Sequence, residues 1–390
     1  MNPTEIFKKL YNSEAEFSLF TPYRVCPVGA HVDHNLGKIT GFAIDKGIRI
    51  FFSPDTDGEI SVSSLQFEGE AKWNVNSVPG KQNDWADHLR GVNSELLRNN
   101  RLTRGMKAVI DGEFPVGGLS SSASVTIGFL NALCKVNGIR LSGDEIIDIS
   151  QAAENNYVGV SCGKLDQICE VRCRKNGLLF TDLLSNETRV LRQNENMKDF
   201  VILVFFSGLE RSLASSEYNN RVGELRSAAA KIAVASGISF DGIPNMRAVP
   251  YAEFEKHKGI LSEAEKKRAI HFFSENARVD EGVAAWKNGD IAAFGRVMKL
   301  SGDSSIENWE AGSPELIKLH EIINRTDGVY GGRFSGAGFR GSAVAVVDPS
   351  RADEILRRVR AEYIASFPLL ADKYTACVCK TADGVEASNE

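Results

Sequence analysis

The sequence predicts an α+β protein of two domains, and three observations predict it. The chain has 390 residues with 43% hydrophobic and 25% charged side chains, more than one hydrophobic core ordinarily serves. Its first part passes from strand-like stretches to consecutive helical repeats. Its later part sets two apolar runs, Val201-Ile-Leu-Val-Phe-Phe206 and Ser342-Ala-Val-Ala-Val-Val347, among charge-rich helical segments. We place the boundary at Asp199, which gives domains of residues 1–199 and 200–390.

In chain order, strands are expected at Gly47–Phe52 and Glu59–Ser63, followed by Ser-Pro, Asp-Gly and Pro-Gly turn pairs. A helix is expected from Ser122, because Val125, Phe129 and Leu133 share one face, and Asn137-Gly138 stops it. Ser142-Gly-Asp-Glu145 is a capping box, and Ile146, Ile149 and Ala153 continue at helical spacing. A third helix opens near Leu165 with Ile168 and Cys169 on one face, and Asn176-Gly177 ends it before a strand at Leu178–Thr181. Glu263–His271 and Arg351–Tyr363 read as helices, and the polar tail after Lys380 as frayed.

Charge argues against some functions. The 46 Lys plus Arg and 51 Asp plus Glu leave a net charge of -5, which offers no grip on nucleic acid or on an anionic membrane. No run reaches the roughly 18–20 apolar residues that span a bilayer, and the opening segment lacks an apolar signal core, so a cytosolic location is expected. The seven cysteines include no Cys-x-x-Cys pair, which favours structural thiols over disulfides or zinc.

Three glycine-rich segments invite a phosphate reading. Gly159-Val-Ser-Cys-Gly163-Lys164 has the wrong spacing for a P-loop, and Leu165 stands where a magnesium-binding hydroxyl belongs. Gly336-Ala-Gly-Phe-Arg-Gly341 runs into a strand where a dinucleotide fingerprint must open a helix. Pro115-Val-Gly-Gly-Leu-Ser-Ser-Ser-Ala-Ser124 leads straight into a helix, so glycines, hydroxyls and free amides converge on an anion site; a Ser-capped helix after a turn is the alternative on this segment alone. Arg24 to Gly37 gathers Arg24, His31, Asp33 and His34 in one loop. Hydrogen bonding to a polyhydroxyl ligand suits it better than a metal, although a loop satisfying its own turns is also open.

Taken together, Arg24–Gly37, Pro115–Ser124 and Gly332–Gly341 resemble the three motifs of the GHMP kinases, the superfamily of galactokinase, homoserine kinase, mevalonate kinase and phosphomevalonate kinase. Ser212–Tyr218 and Cys162–Gln167 resemble galactokinase in particular. The resemblance implies a ribosomal protein S5 domain 2-like first domain, a ferredoxin-like second domain and an interdomain cleft. It further implies ATP with Mg2+ phosphorylating a sugar at its anomeric hydroxyl. By that resemblance Asp166 is the catalytic base and Arg24 its partner; Ala30, His31, Asp33, Gly163 and Tyr218 hold the sugar. Gly117, Gly118, Leu119, Ser120, Ser121, Ser122 and Ala123 form the phosphate loop, which is one Gly shorter than usual. Ser122 and Glu154 match magnesium ligands, Trp85 an adenine-packing position, and His88 stands where galactokinases often carry Tyr.

One departure bears on the substrate. Galactokinases resemble one another in carrying Glu where this chain has Ala30. A Glu about 4 Å from a C6 carboxylate would repel it by ~4 kcal/mol at an effective dielectric near 20, roughly a thousandfold in affinity. Ala removes that repulsion, and the surrounding strings, with Phe273–Asn276 and Ser305–Gly312, look like the galacturonokinase branch. D-Galacturonate is therefore the expected acceptor. Galactose or L-arabinose, and a non-catalytic sugar sensor, are the competing readings. Arg211 and Arg340 are the candidate cations for the carboxylate, Arg340 standing where galactokinases usually have a small residue.

Overall fold

A computed structural model describes residues 2–115, 117–209, 215–240 and 242–388. Its first half is organised around one long strand. β1 (Phe17–Val25), β2 (Lys38–Asp55), β3 (Glu59–Ser64), β4 (Glu70–Asn74), β5 (Gly105–Gly112), β6 (Gly177–Asp182) and β7 (Glu187–Arg192) follow in order. β2 has 18 residues and serves successive partners along its length. Lys38–Gly41 pair with β6, Phe42–Phe52 with β1, and Ile48–Asp55 with β5, all antiparallel, while β3 joins β5 in parallel. The sequence reading found only Gly47–Phe52 of this strand. Gly41, Asp45 and Gly47 interrupt the local pattern, and tertiary pairing overrides them.

The second half carries β8 (Val201–Phe206), β9 (Val329–Phe334), β10 (Ser342–Val347) and β11 (Thr375–Cys379), an antiparallel sheet in the order β11-β8-β10-β9. β10 is buried at every residue, as its unbroken apolar run requires of a strand covered on both faces. Helices Ile291–Glu307, Pro314–Asn324 and Ala352–Ser366 pack on this sheet.

The chain then returns. β12 (Thr381–Ala382) pairs with Ala43 and Ile44 of β2, which makes the first sheet eight-stranded among the described residues. Gly384 N donates to Cys173 O at 2.8 Å, and Val385 is buried. From Thr381 to Gly384 the tail is thus held rather than frayed, because its backbone pairs with segments of the first half.

Helix Ser121–Asn137 lies over the first sheet and ends at Gly138 in the left-handed conformation, φ 67°, where a glycine carries no Cβ penalty. Gly143–Ala152 opens on the expected capping box, with Ser142 N donating to Glu145 Oε2 at 2.8 Å. The 25-residue helix Glu263–Lys287 starts on another box at Ser262 and joins the two halves. Its Trp286 packs on Phe42 of β2, ring centroids 5.5 Å apart, beside Phe294 and Phe200. Truncating Phe42 there removes a fully buried ring, a cost of about 3–5 kcal/mol. Among the described residues no helix is long and apolar enough to cross a membrane.

Candidate active site

Five segments, with Tyr218 of helix Ser215–Ser236, converge on one cleft. They are the end of β1 with its following loop, the glycine-serine loop before Ser121–Asn137, the stretch Ala153–Gly163, the start of helix Leu165–Arg172, and the loop between β9 and β10.

At its centre Arg24 Nε donates to Asp166 Oδ1 at 2.7 Å, and Ser120 Oγ donates to Asp166 Oδ2. Arg24 leaves β1 with its side chain buried; its other nitrogen reaches Gly118 O at 3.2 Å and Ser335 Oγ at 3.3 Å. Burial works against the guanidinium charge, but the Asp166 carboxylate beside it holds the arginine above its ordinary range. Ser120 does not cap the helix. Its backbone is left-handed at φ 65°, a costly conformation for serine, and its hydroxyl goes to Asp166 instead. The Ser-capped-helix alternative is thereby excluded.

The glycine-serine loop keeps its amides clear. The first bond of the helix runs from Ser124 N to Ser120 O at 3.0 Å, so the amides of Ser121, Ser122 and Ala123 precede it and point out of the helix start. Gly118, at φ 83°, must be glycine, since a Cβ there would stand 2.7 Å from Ser342 N.

At the other end the loop after β1 turns sharply. His31 adopts φ 63° and a short helical turn covers Asp33–Asn35. Leu165 N donates to Asp33 Oδ2 at 3.2 Å, and the Asp33 carboxylate packs against the backbone of Gly163. Burial, then the nearby Asp166, pushes the Asp33 carboxyl up to about 6. Burial, then His271 and Arg333, holds His31 well below the usual imidazole range, so its ring is neutral. That ring stacks on Trp309 at 5.2 Å and 6°, and its Nε2 has no hydrogen-bond partner among the described residues. Tyr218 closes this end, 6.5 Å from His31 between ring centroids.

Ala30 lines the cleft and is 6% exposed. Its backbone is fixed from the second half: His271 Nε2 donates to Ala30 O at 3.0 Å, while Gly29 N and Ala30 N donate to Glu275 Oε1 at 2.7 and 3.3 Å. Burial opposes the Glu275 charge, but Arg278, His271 and Arg333 bring the carboxyl down to about 2.

Glu154 sits in a π-helical turn, Ala153–Val158, the kind of phase shift that re-aims a side chain at functional sites. It is buried, accepts from Gln167 Nε2 at 2.8 Å, and lies 3.8 Å from His88 Nδ1. Ser122 and Glu154 both face the cleft, and a hydroxyl and a carboxylate are hard oxygen donors that suit Mg2+. Among the described residues no group of three or more His, Cys, Asp or Glu forms a metal cage, so a cation here would complete its shell with phosphate oxygens and water.

The cleft thus gathers Arg24, Ala30, His31, Asp33, Gly117, Gly118, Ser120, Ser121, Ser122, Glu154, Gly163, Asp166 and Tyr218, all singled out from sequence. Leu119 and Ala123 are buried beneath it, 2% and 0% exposed, and offer only backbone. Trp85 does not line it. Its indole lies parallel to Phe67, centroids 6.1 Å apart at 6°. Arg211 lies outside the described residues. Arg340 lines the cleft and is exposed. Arg333, Ser335 and Glu275 lay within the quoted strings Gly332–Gly341 and Phe273–Asn276 but were not singled out as site residues, because a string carries no local signal of what each side chain faces.

Residues 88–173 match the GHMP kinases N terminal domain, and residues 283–365 the GHMP kinases C terminal domain. The chain belongs to the GHMP kinases. It is a homologue of galacturonokinase from Arabidopsis thaliana, 36% identical over 387 residues that cover 93% of this chain and 91% of that protein. In fold it matches Lactococcus lactis galactokinase complexed with galactose, TM-score 0.89 at 24% identity over 98% of this chain and 97% of that one. Methanococcus jannaschii mevalonate kinase matches at TM-score 0.64 and 18% identity, over 94% and 98%.

Proposed function

We propose that this protein is a cytosolic sugar-1-kinase that transfers the terminal phosphoryl group of ATP to the anomeric hydroxyl of D-galacturonate. The observation that carries the reading is Ala30, a methyl group on the cleft wall beside His31 where galactokinases carry an acid. A uronate carboxylate meets no opposing charge from that side chain, whereas a neutral C6 hydroxyl loses an acceptor worth roughly 1 kcal/mol. The 36% identity to a galacturonokinase supports the same substrate.

Phosphoryl transfer passes through a loose transition state, so positioning and charge compensation matter most. Asp166 accepts the proton of the attacking hydroxyl, with Arg24 and Ser120 fixing both carboxylate oxygens so that the acceptor stays aimed. The amides of Ser121, Ser122 and Ala123 hold the triphosphate oxygens. Asp33, His31 and Tyr218 hold the sugar ring. Ser122 and Glu154 would hold Mg2+, which when bound neutralises triphosphate charge.

A coupled ADP-release screen over galacturonate, galactose, glucuronate and arabinose tests the proposal, with the phosphorylated carbon identified in the product. Galacturonate is expected to give the highest kcat/KM; a preference for galactose or arabinose overturns the reading, and sugar binding without turnover revives a sensor.

A further inference from the structure

The cleft's positive charge is already committed except at one place. Among the described residues its lining carries three arginines and no lysine. Arg24 is tied to Asp166 at 2.7 Å. Arg333 is equally buried and donates to Ser301 Oγ at 2.7 Å and Ser305 Oγ at 3.0 Å, with Glu275 3.8 Å away. Arg340 is exposed in the cleft wall and makes no hydrogen bond or ion pair with any described residue.

The backbone around Arg340 tells which end of the cleft it serves. Ser342 Oγ donates to Gly117 O at 2.9 Å, and Gly341 is packed so closely on Gly117 that a Cβ on Gly117 would stand 3.0 Å from its Cα. On the same loop Ser335 Oγ accepts from Arg24 at 3.3 Å. Arg340 therefore rises from backbone that rests on the phosphate loop. Ala30 is anchored elsewhere, on Glu275 and His271 of the long helix. A nucleotide triphosphate brings several negative charges to a loop that otherwise offers amides and hydroxyls, and a guanidinium pairs with phosphate in a two-pronged geometry.

We propose that Arg340 binds the terminal phosphoryl group of the nucleotide and stabilises the charge on it during transfer. The inference rests on the kinase reading above and adds a residue to it, at a position where galactokinases usually have a small side chain. In the step itself the bond between the terminal phosphorus and the β,γ-bridging oxygen breaks as the bond to the sugar oxygen forms. The hydroxyl proton passes to Asp166, ADP leaves, and Arg340 stays protonated and forms no covalent bond.

The test compares the wild type with Arg340→Gly and Arg340→Lys. Binding of ADP and of the β,γ-imido analogue of ATP is measured with Mg2+, beside steady-state kinetics with galacturonate and galactose. Arg340→Gly is expected to bind the triphosphate analogue about tenfold more weakly and ADP within about twofold, with kcat down roughly a hundredfold and the galacturonate-to-galactose preference unchanged; Lys recovers part of the loss. Equal weakening of both nucleotides, reporting a disturbed loop, overturns the inference. So does unchanged nucleotide binding with a rise in KM for galacturonate alone, which would make Arg340 the partner of the sugar carboxylate. A wild type that binds neither nucleotide overturns the kinase reading itself.

Discussion

Arg24 and Asp166, 142 residues apart in the chain, meet at 2.7 Å with the arginine side chain 4% exposed and the aspartate 30% exposed. The carboxylate faces the cleft and its counter-charge stands behind it. A buried guanidinium is costly to leave unpaired, so the pair fixes the direction of the carboxylate as well as its neighbourhood.

Asp166→Asn keeps the shape and most hydrogen bonds but removes the proton acceptor. Turnover of galacturonate is expected to fall by about 10³-fold in kcat, within the usual range for a positioned base. Sugar affinity by calorimetry should change little. An unchanged kcat would remove Asp166 from the chemistry.

Ala30→Glu places an acid on the wall of the sugar end. Galacturonate should lose up to roughly a thousandfold in kcat/KM, the repulsion of two carboxylates about 4 Å apart at an effective dielectric near 20, while galactose gains. Competition between the two sugars on both proteins reads the shift directly.

Asp33 gives the sugar step a pH signature. Its carboxyl is pushed up to about 6 by burial, then by Asp166, so it is protonated below that value and a carboxylate above it, the form the proposed sugar contact needs. The kcat/KM for galacturonate should fall as the pH drops through about 6. Asp33→Asn should be weak throughout and lack that inflection.

Glu275→Gln probes stability. The wild-type carboxyl, lowered from 4.5 to about 2 in the fold, stabilises fully above 4.5 and loses that contribution as the pH falls toward 2. The variant leaves Arg278 and Arg333 without their buried counter-charge, which should cost about 3 kcal/mol in urea unfolding at neutral pH. The gap between the two proteins should narrow below pH 4.5.

What local sequence could reveal was what local physics determines. The Ser142 capping box, the apolar runs of β8 and β10, and the helix after the glycine-serine loop all formed where their spacing put them. The helix from Leu165 closed at Arg172, short of Asn176-Gly177, and β2 extended well beyond its apolar stretch, because partners distant in sequence decide such ends. In the site, motif order located the Arg24, Ser120 and Asp166 segments but not the geometry among them. Ser120 looks like a cap in sequence, and only its left-handed backbone shows that its hydroxyl turns to Asp166. Glu275 was invisible because the amides it receives lie on Gly29 and Ala30, in the other half of the chain.

The pairing of β12 with Ala43 and Ile44 sets an order on synthesis. The first sheet stays one strand short until Thr381 and Ala382 have left the ribosome, by which time every strand of the second sheet has been made. A nascent chain therefore carries Ala43 and Ile44 of β2 without this partner until after the strands of the second sheet have been made.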